Sequence, residues 1–164
     1  MVAMLTLPEK HTLRDELVAM LMANLDVLLR AQQAAIEGAT HEEAKPESDK
    51  DTRGLEQSYL ARGQALRIEE LRNVLLELRA MPLPAFTANQ PISLGALIVA
   101  EENDKERVFF LAPYGGGATI GKGKVQVVTP RSPLGEALLE KCAGDDCEVL
   151  MGGSTREFSI LRVL

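Results

Sequence analysis

The sequence predicts an α+β protein of two units. An antiparallel helical hairpin, coiled-coil in character, spans residues 1–82, and an antiparallel sheet with one short helix spans residues 83–164. Three observations predict this. Apolar residues recur every three or four positions through two stretches of about 30 residues, the period of a helix buried along one side. The composition changes near residue 82, where Pro82, Pro84 and Pro91 succeed one another and glycine clusters begin. Beyond that point the apolar runs are short, alternating and bounded by turn-forming residues, as strands are.

The first helix is expected over residues 9–38, with a stripe of Leu13, Leu17, Met20 or Leu21, Leu25, Leu28, Ala31 and Ala35, and an exit at Gly38. The second is expected over residues 49–80, with Leu55, Tyr59, Leu66, Ile68, Leu71, Leu75 and Leu78 on its stripe. Each would be roughly 45 Å long at 1.5 Å per residue, and two such stripes joined by a short polar loop bury one another as an antiparallel pair. Pro46 cannot sit inside a helix, because it lacks an N–H and clashes with the preceding turn. Ser48, Asp49 and Asp51 are candidate caps for the second helix, which places the tip near residues 39–50. Residues 17–23, "LVAMLMA", are apolar all round. They predict either that the base of the hairpin packs on the second unit or that a homodimer forms there.

In the second unit, strands are expected at 96–100, 107–112, 124–129, 146–151 and 156–163, separated by "ENDKE", "YGGG", "AGDD" and "GGST". Ser132 as N-cap, Pro133 in the first turn, and Leu134, Ala137 and Leu138 on one face predict the short helix. The stretch "YGGGATIGKGK", residues 114–124, lacks the order of a phosphate-binding loop and is expected to be a mobile hairpin loop.

Hydrophobic content of 46% with 4% aromatic residues and no Trp predicts an aliphatic core. A net charge of −6 argues against a protein that wraps nucleic acid and fits either docking on a basic protein surface or plain solubility. With Cys142, Cys147, His11 and His41 the only thiols and imidazoles, no zinc set of about four ligands is evident; the two cysteines are expected as buried thiols. No Ser-His-Asp or Cys-His set can be assembled. No secretory leader or membrane span is evident, which predicts a cytoplasmic protein.

The stretch "SPLGEALLEKCAGDDCEVLMGGSTREFSILRVL", residues 132–164, resembles the C-terminal end of the bacterial Gre transcript-cleavage factors, GreA and GreB. The matching positions are Ser132, Pro133, Leu134, Ala137, Leu138, Lys141, Gly144, Asp145, Val149, Gly152, Gly153, Phe158 and Ile160. "LRDEL" (residues 13–17) and "RIEEL" (residues 67–71) are similar to the family's two hairpin helices, and the order of units matches. The resemblance implies an FKBP-like second domain and a partner, RNA polymerase. The partner contacts would lie at Ser132, Pro133, Leu134 and Gly135. It implies that the hairpin enters the polymerase secondary channel, so that contact with backtracked RNA is indirect. The protein is then not itself an enzyme. Acidic tip residues help place a Mg²⁺ shared with the polymerase active site and a water that cuts the RNA.

The tip "EEAKPESDKD", residues 42–51, departs from the family's acidic pair spaced three apart. Counting back from Arg67 puts Glu47 at the first acidic place and Lys50 at the second. Glu47, Asp49, Asp51 and Glu43 are the candidate catalytic carboxylates, and Glu47, Asp49 and Asp51 the candidate metal ligands. Lys45, Lys50 and Arg53 offset part of their charge, and His41 is expected as a solvated loop residue. Lys50 leaves open a channel-binding regulator that modulates or inhibits transcription without cleavage. A third reading, FKBP-like prolyl isomerisation, would need a pocket built from Phe86, Phe109, Phe110, Tyr114 and Phe158.

Overall fold

The computed structural model describes residues 7–42 and 50–164, without the side chains of residues 39–42 and 50–53. Two long helices, α1 (Lys10–Glu42) and α2 (Lys50–Ala80), come first. After them come β1 (Leu97–Glu102), β2 (Lys105–Leu111), β3 (Thr119–Ile120), β4 (Val125–Val128), α3 (Pro133–Leu138), β5 (Asp146–Met151) and β6 (Ser154–Val163). The strands form one sheet in the order β3-β4-β2-β1-β6-β5. The fold class is the expected one, with two differences of detail. The sheet is mixed, because β2 and β4 run parallel; the glycine-rich 114–124 stretch supplies the long connection that a parallel pair needs and contributes β3 itself. Helix α1 continues through Gly38 to Glu42: a helical glycine costs about 1 kcal/mol against alanine, and nothing in its backbone forbids continuation.

The chain divides into two compact units, one comprising the chain up to Val18 with Glu77–Leu164, the other Ala19–Leu76. Each helix therefore has its root in the sheet-containing unit. In that unit the sheet is apolar on both faces: Leu97, Ile98, Val99 and Ala100 are buried in succession along β1. One face, with Ile98, Ala100, Phe109, Leu111, Val128, Cys147, Val149, Phe158 and Ile160, packs with Leu134 and Leu138 of α3. An irregularity opposite Val99 and Ala100 shifts the β1–β6 register, so that Ile160 and Val163, three apart, both join this core. The helix roots contribute Leu13, Leu17, Leu78 and Met81, all buried in the same unit.

The roots are anchored by named contacts. Arg14 Nη1 donates to the Met81 carbonyl at 3.0 Å, joining the start of α1 to the end of α2. Lys10 Nζ donates to the carbonyls of Pro84 and Leu164 and lies 5.0 Å from the Phe86 ring centroid. Glu16 Oε2 accepts from the Gly121 N–H at 2.9 Å. A Cβ at Gly115, whose φ is +90°, would sit 2.7 Å from Leu17 Cδ1. Gly115 and Gly121 of the 114–124 loop thus lie against Leu17 and Leu13, rather than in a free hairpin loop.

In the unit Ala19–Leu76, burial is concentrated near the roots, at Leu21, Ile68, Leu71 and Leu75. The expected seam does not extend further: Leu55, Tyr59 and Leu66 are exposed, Tyr59 by 70%. In the same half of α1, Val27 and Ile36 are exposed as well, by 65% and 56%, so among the described residues no large apolar side chain of either helix is buried there.

Tight turns close the hairpins of the sheet. Asn103 and Asp104, at φ +50° and +61°, join β1 to β2, and Gly152 and Gly153, at +60° and +82°, join β5 to β6; two positive φ values in a two-residue loop match the strand twist. Gly135 differs from these, since a Cβ there would lie 1.8 Å from the Thr129 carbonyl oxygen. Gly135→Ala is expected to cost about 3 kcal/mol or more, because backbone must move. Gly153→Ala, with open space around it, is expected to cost only the left-handed strain of about 1–2 kcal/mol. Urea-unfolding midpoints of the two variants check the order.

Candidate functional site

Of the expected tip residues, Glu43, Glu47 and Asp49 lie outside the described residues. Lys50 and Asp51 fall in the first turn of α2, but their side chains, like that of His41, lie outside the description. Among the described residues no three of His, Cys, Asp or Glu come together as a metal site. None of the helices searched is long and apolar enough to cross a membrane.

The expected partner-binding residues sit at the start of α3. Ser132 has an extended backbone, φ −76° and ψ 153°. Its hydroxyl accepts from the Gly135 N–H at 3.1 Å and donates to the Thr129 carbonyl at 2.8 Å. Leu134 and Gly135 are buried, and Pro133 is the member of the four whose side chain is exposed. The cap and the close approach of Gly135 to Thr129 hold Pro133 out at the turn.

Cys142 and Cys147 are free thiols. Cys142 is half-buried, and its Sγ lies 3.6 Å from the Asn89 carbonyl oxygen. Cys147 is buried, and that burial raises its pKa, which makes it a poor thiolate former. In the 114–124 loop, the Gly121 amide is already bonded to a carboxylate, which disqualifies it as a phosphate donor. Phe109, Phe110 and Phe158 are fully buried, with Phe109 and Phe158 in an edge-to-face pair at 5.9 Å. Phe109 and Phe110, being adjacent in β2, point to opposite faces. These rings are core, not the walls of a prolyl pocket.

A polar constellation that the sequence did not single out lies on the same sheet face as Ala100, Phe109 and Phe158 of the core. Glu102, at the end of β1, is the one buried charged residue among those described, at 9% exposure. Arg156 of β6 grips it with two nitrogens: Nε donates to Oε1, and Nη2 to Oε2 at 2.6 Å. Arg107 of β2 donates from Nη1 to Oε2 at 3.0 Å and from Nη2 to Gln126 Oε1 at 3.0 Å. Each guanidinium also lies over a core ring, Arg107 at 5.6 Å from the Phe109 centroid and Arg156 at 5.4 Å from that of Phe158. Strand parity explains the grouping, since 100 and 102, 107 and 109, and 156 and 158 share one face. The local signal was the Asn103-Asp104 turn, which sets Glu102 opposite Lys105 in β2 and two residues from Arg107. Arg156, 54 residues away, left no such trace.

No model of a known protein family matches the chain, and no curated protein matches it. Among solved structures it is similar to the crystal structure of GreA factor homolog 1 (Gfh1) of Thermus thermophilus, with 18% identity, 90% of this chain and 94% of that one covered, and a TM-score of 0.40. For the Gfh1 of Thermus aquaticus the identity is 19%, the coverage 88% and 92%, and the TM-score 0.40. For the prokaryotic transcription elongation factor GreA/GreB from Nitrosomonas europaea the identity is 18%, the coverage 57% and 77%, and the TM-score 0.37.

The hydrogen bonds from Arg156, helped by the charges of Arg156 and Arg107, hold the Glu102 carboxyl below its ordinary value of 4.5 despite the opposing effect of burial. A carboxylate whose pKa is depressed by folding adds stability that is complete above the unfolded value and is lost as pH falls through the lower folded value. Glu102→Gln is therefore expected to destabilise by about 2 kcal/mol near neutral pH, less than a fully buried pair because both arginines are partly solvated. The gap from the parent protein should close as pH falls below about 4. Urea unfolding of both proteins across that range measures it; a pH-independent gap would contradict the ionic origin.

Proposed function

We propose that this chain is a Gre-type transcription elongation factor that binds RNA polymerase, inserts its helical hairpin into the secondary channel and stimulates cleavage of backtracked RNA. The observation that carries this is the folding of residues 132–164. The Ser-Pro-capped α3, the turn at Gly144 and Asp145, β5, the Gly152-Gly153 turn and the closing β6 succeed one another in the order that the resemblance implies. Helices of 33 and 31 residues precede them, about 45–50 Å each, long enough to carry side chains into a channel.

In this reading the sheet-containing unit grips the polymerase, with Pro133 at the exposed turn among the contacts, and the chain itself performs no chemistry. The donor set at the tip is of the right class: carboxylates are hard oxygen ligands, and Mg²⁺ keeps several waters, so one or two added carboxylates complete a weak site. The cation would be shared with the polymerase and would stabilise the attacking and leaving oxygens of the displacement. Glu47, Asp49, Asp51 and Glu43 are the residues that would reach it.

One observation favours a second outcome at the same partner. Lys50 occupies the position where the second acidic residue is expected, and a cation there repels a metal. A channel-binding regulator without cleavage activity is the reading that follows from it.

Transcript cleavage in reconstituted, backtracked polymerase complexes tests both. The pure protein should leave naked RNA intact, and adding it to stalled complexes should shorten the nascent RNA. Glu47→Ala, Asp49→Ala or Asp51→Ala should slow that shortening by about tenfold or more at the position that reaches the metal, equal to ~1.4 kcal/mol of barrier. Binding without shortening, with activity appearing in Lys50→Glu, would replace the first reading by the second.

A further inference from the structure

We propose that Arg107 and Arg156 form a docking site for a carboxylate side chain on an acidic segment of the partner protein. The inference rests on the reading above for the identity of that partner. Its physical basis is local. Two guanidiniums share one carboxylate, which leaves the trio one positive charge in excess. Arg107 uses two of its five N–H donors, on Glu102 and Gln126. Arg156 uses two on Glu102 and turns a third toward Met151 Sδ at 3.8 Å. About five N–H groups are left over, on side chains that are 39% and 32% exposed.

The arginines are also pre-ordered. Each is clamped between Glu102 and an aromatic ring, so docking would immobilise little further rotamer freedom, the usual cost of recruiting a long side chain. A planar fork held in place matches the two oxygens of a carboxylate. Leu134 and Leu138 of α3 pack into the core of this face, while the two arginines at its end keep part of their surface open to solvent. The occupant is a protein carboxylate rather than a nucleic-acid backbone. The chain's net charge of −6 repels a polyanion, while the two guanidinium forks accept one acidic side chain.

The test uses the full-length chain and RNA polymerase core enzyme, with affinities measured at several salt concentrations. Arg107→Gln leaves the Arg156–Glu102 pair in place. It is expected to weaken binding about tenfold at low salt and to flatten the salt dependence. Arg107→Lys, which keeps the charge and loses the fork, should recover only part of the affinity. Thermal melting of each variant confirms that it is folded. If the parent chain binds polymerase and both variants bind it with the same affinity and salt slope, the docking site is overturned while the function stands. If the parent chain does not bind polymerase at all, the proposed function fails first.

Discussion

A sheet that is apolar on both faces must be covered twice, and most of this structure follows from that constraint. β1 buries Leu97, Ile98, Val99 and Ala100 in succession, whereas a sheet with one solvated face would alternate. α3 is six residues long and serves one face. Leu13, Leu17, Leu78 and Met81, from the roots of α1 and α2, belong to the same compact unit. The long helices are therefore not appended to a finished domain; their first and last turns are part of its core. Gly115 and Gly121 make this close approach possible, since a Cβ at Gly115 would lie 2.7 Å from Leu17 Cδ1 and one at Gly121 would press on Leu13 and Pro8 at 3.1 Å.

The same constraint separates the helices into two regimes. Near the roots, Leu21, Ile68, Leu71 and Leu75 are buried, and burial of a leucine-sized side chain is worth about 1.5–3 kcal/mol. Further along, Val27 and Ile36 of α1 and Leu55, Tyr59 and Leu66 of α2 stay exposed. Helical backbone persists there without a packed seam, so its stability rests more on propensity and local pairs, such as Asp26 with Arg30 at 2.9 Å. Stability in this protein is thus concentrated away from the end proposed to act.

Glu102 illustrates a different economy. A buried carboxylate is costly unless its oxygens are hydrogen-bonded, and here one arginine satisfies both oxygens while a second adds a further bond. The trio closes the open end of the core beside Phe109 and Phe158 with groups that still face water. The charges that solve a burial problem are presented, already ordered, at the surface.

Residue pattern alone determined the two long helices, the α+β class, the Ser132 cap, the Gly152-Gly153 turn and five of the six strands, because each depends on neighbours within a few positions. It misplaced the end of α1, since a lone glycine such as Gly38 permits a stop without enforcing one. It extended the apolar seam through Leu55, Tyr59 and Leu66, because periodicity records which side chains share a face but not whether anything packs against that face. Only the tertiary structure decided the parallel pairing of β2 with β4, the role of Gly115 and Gly121 beneath Leu17 and Leu13, and the meeting of Glu102 with Arg107 and Arg156. Those features join residues far apart along the chain, and the physical reason they escape a linear reading is that they depend on which surfaces are brought together, a property that no local spacing encodes.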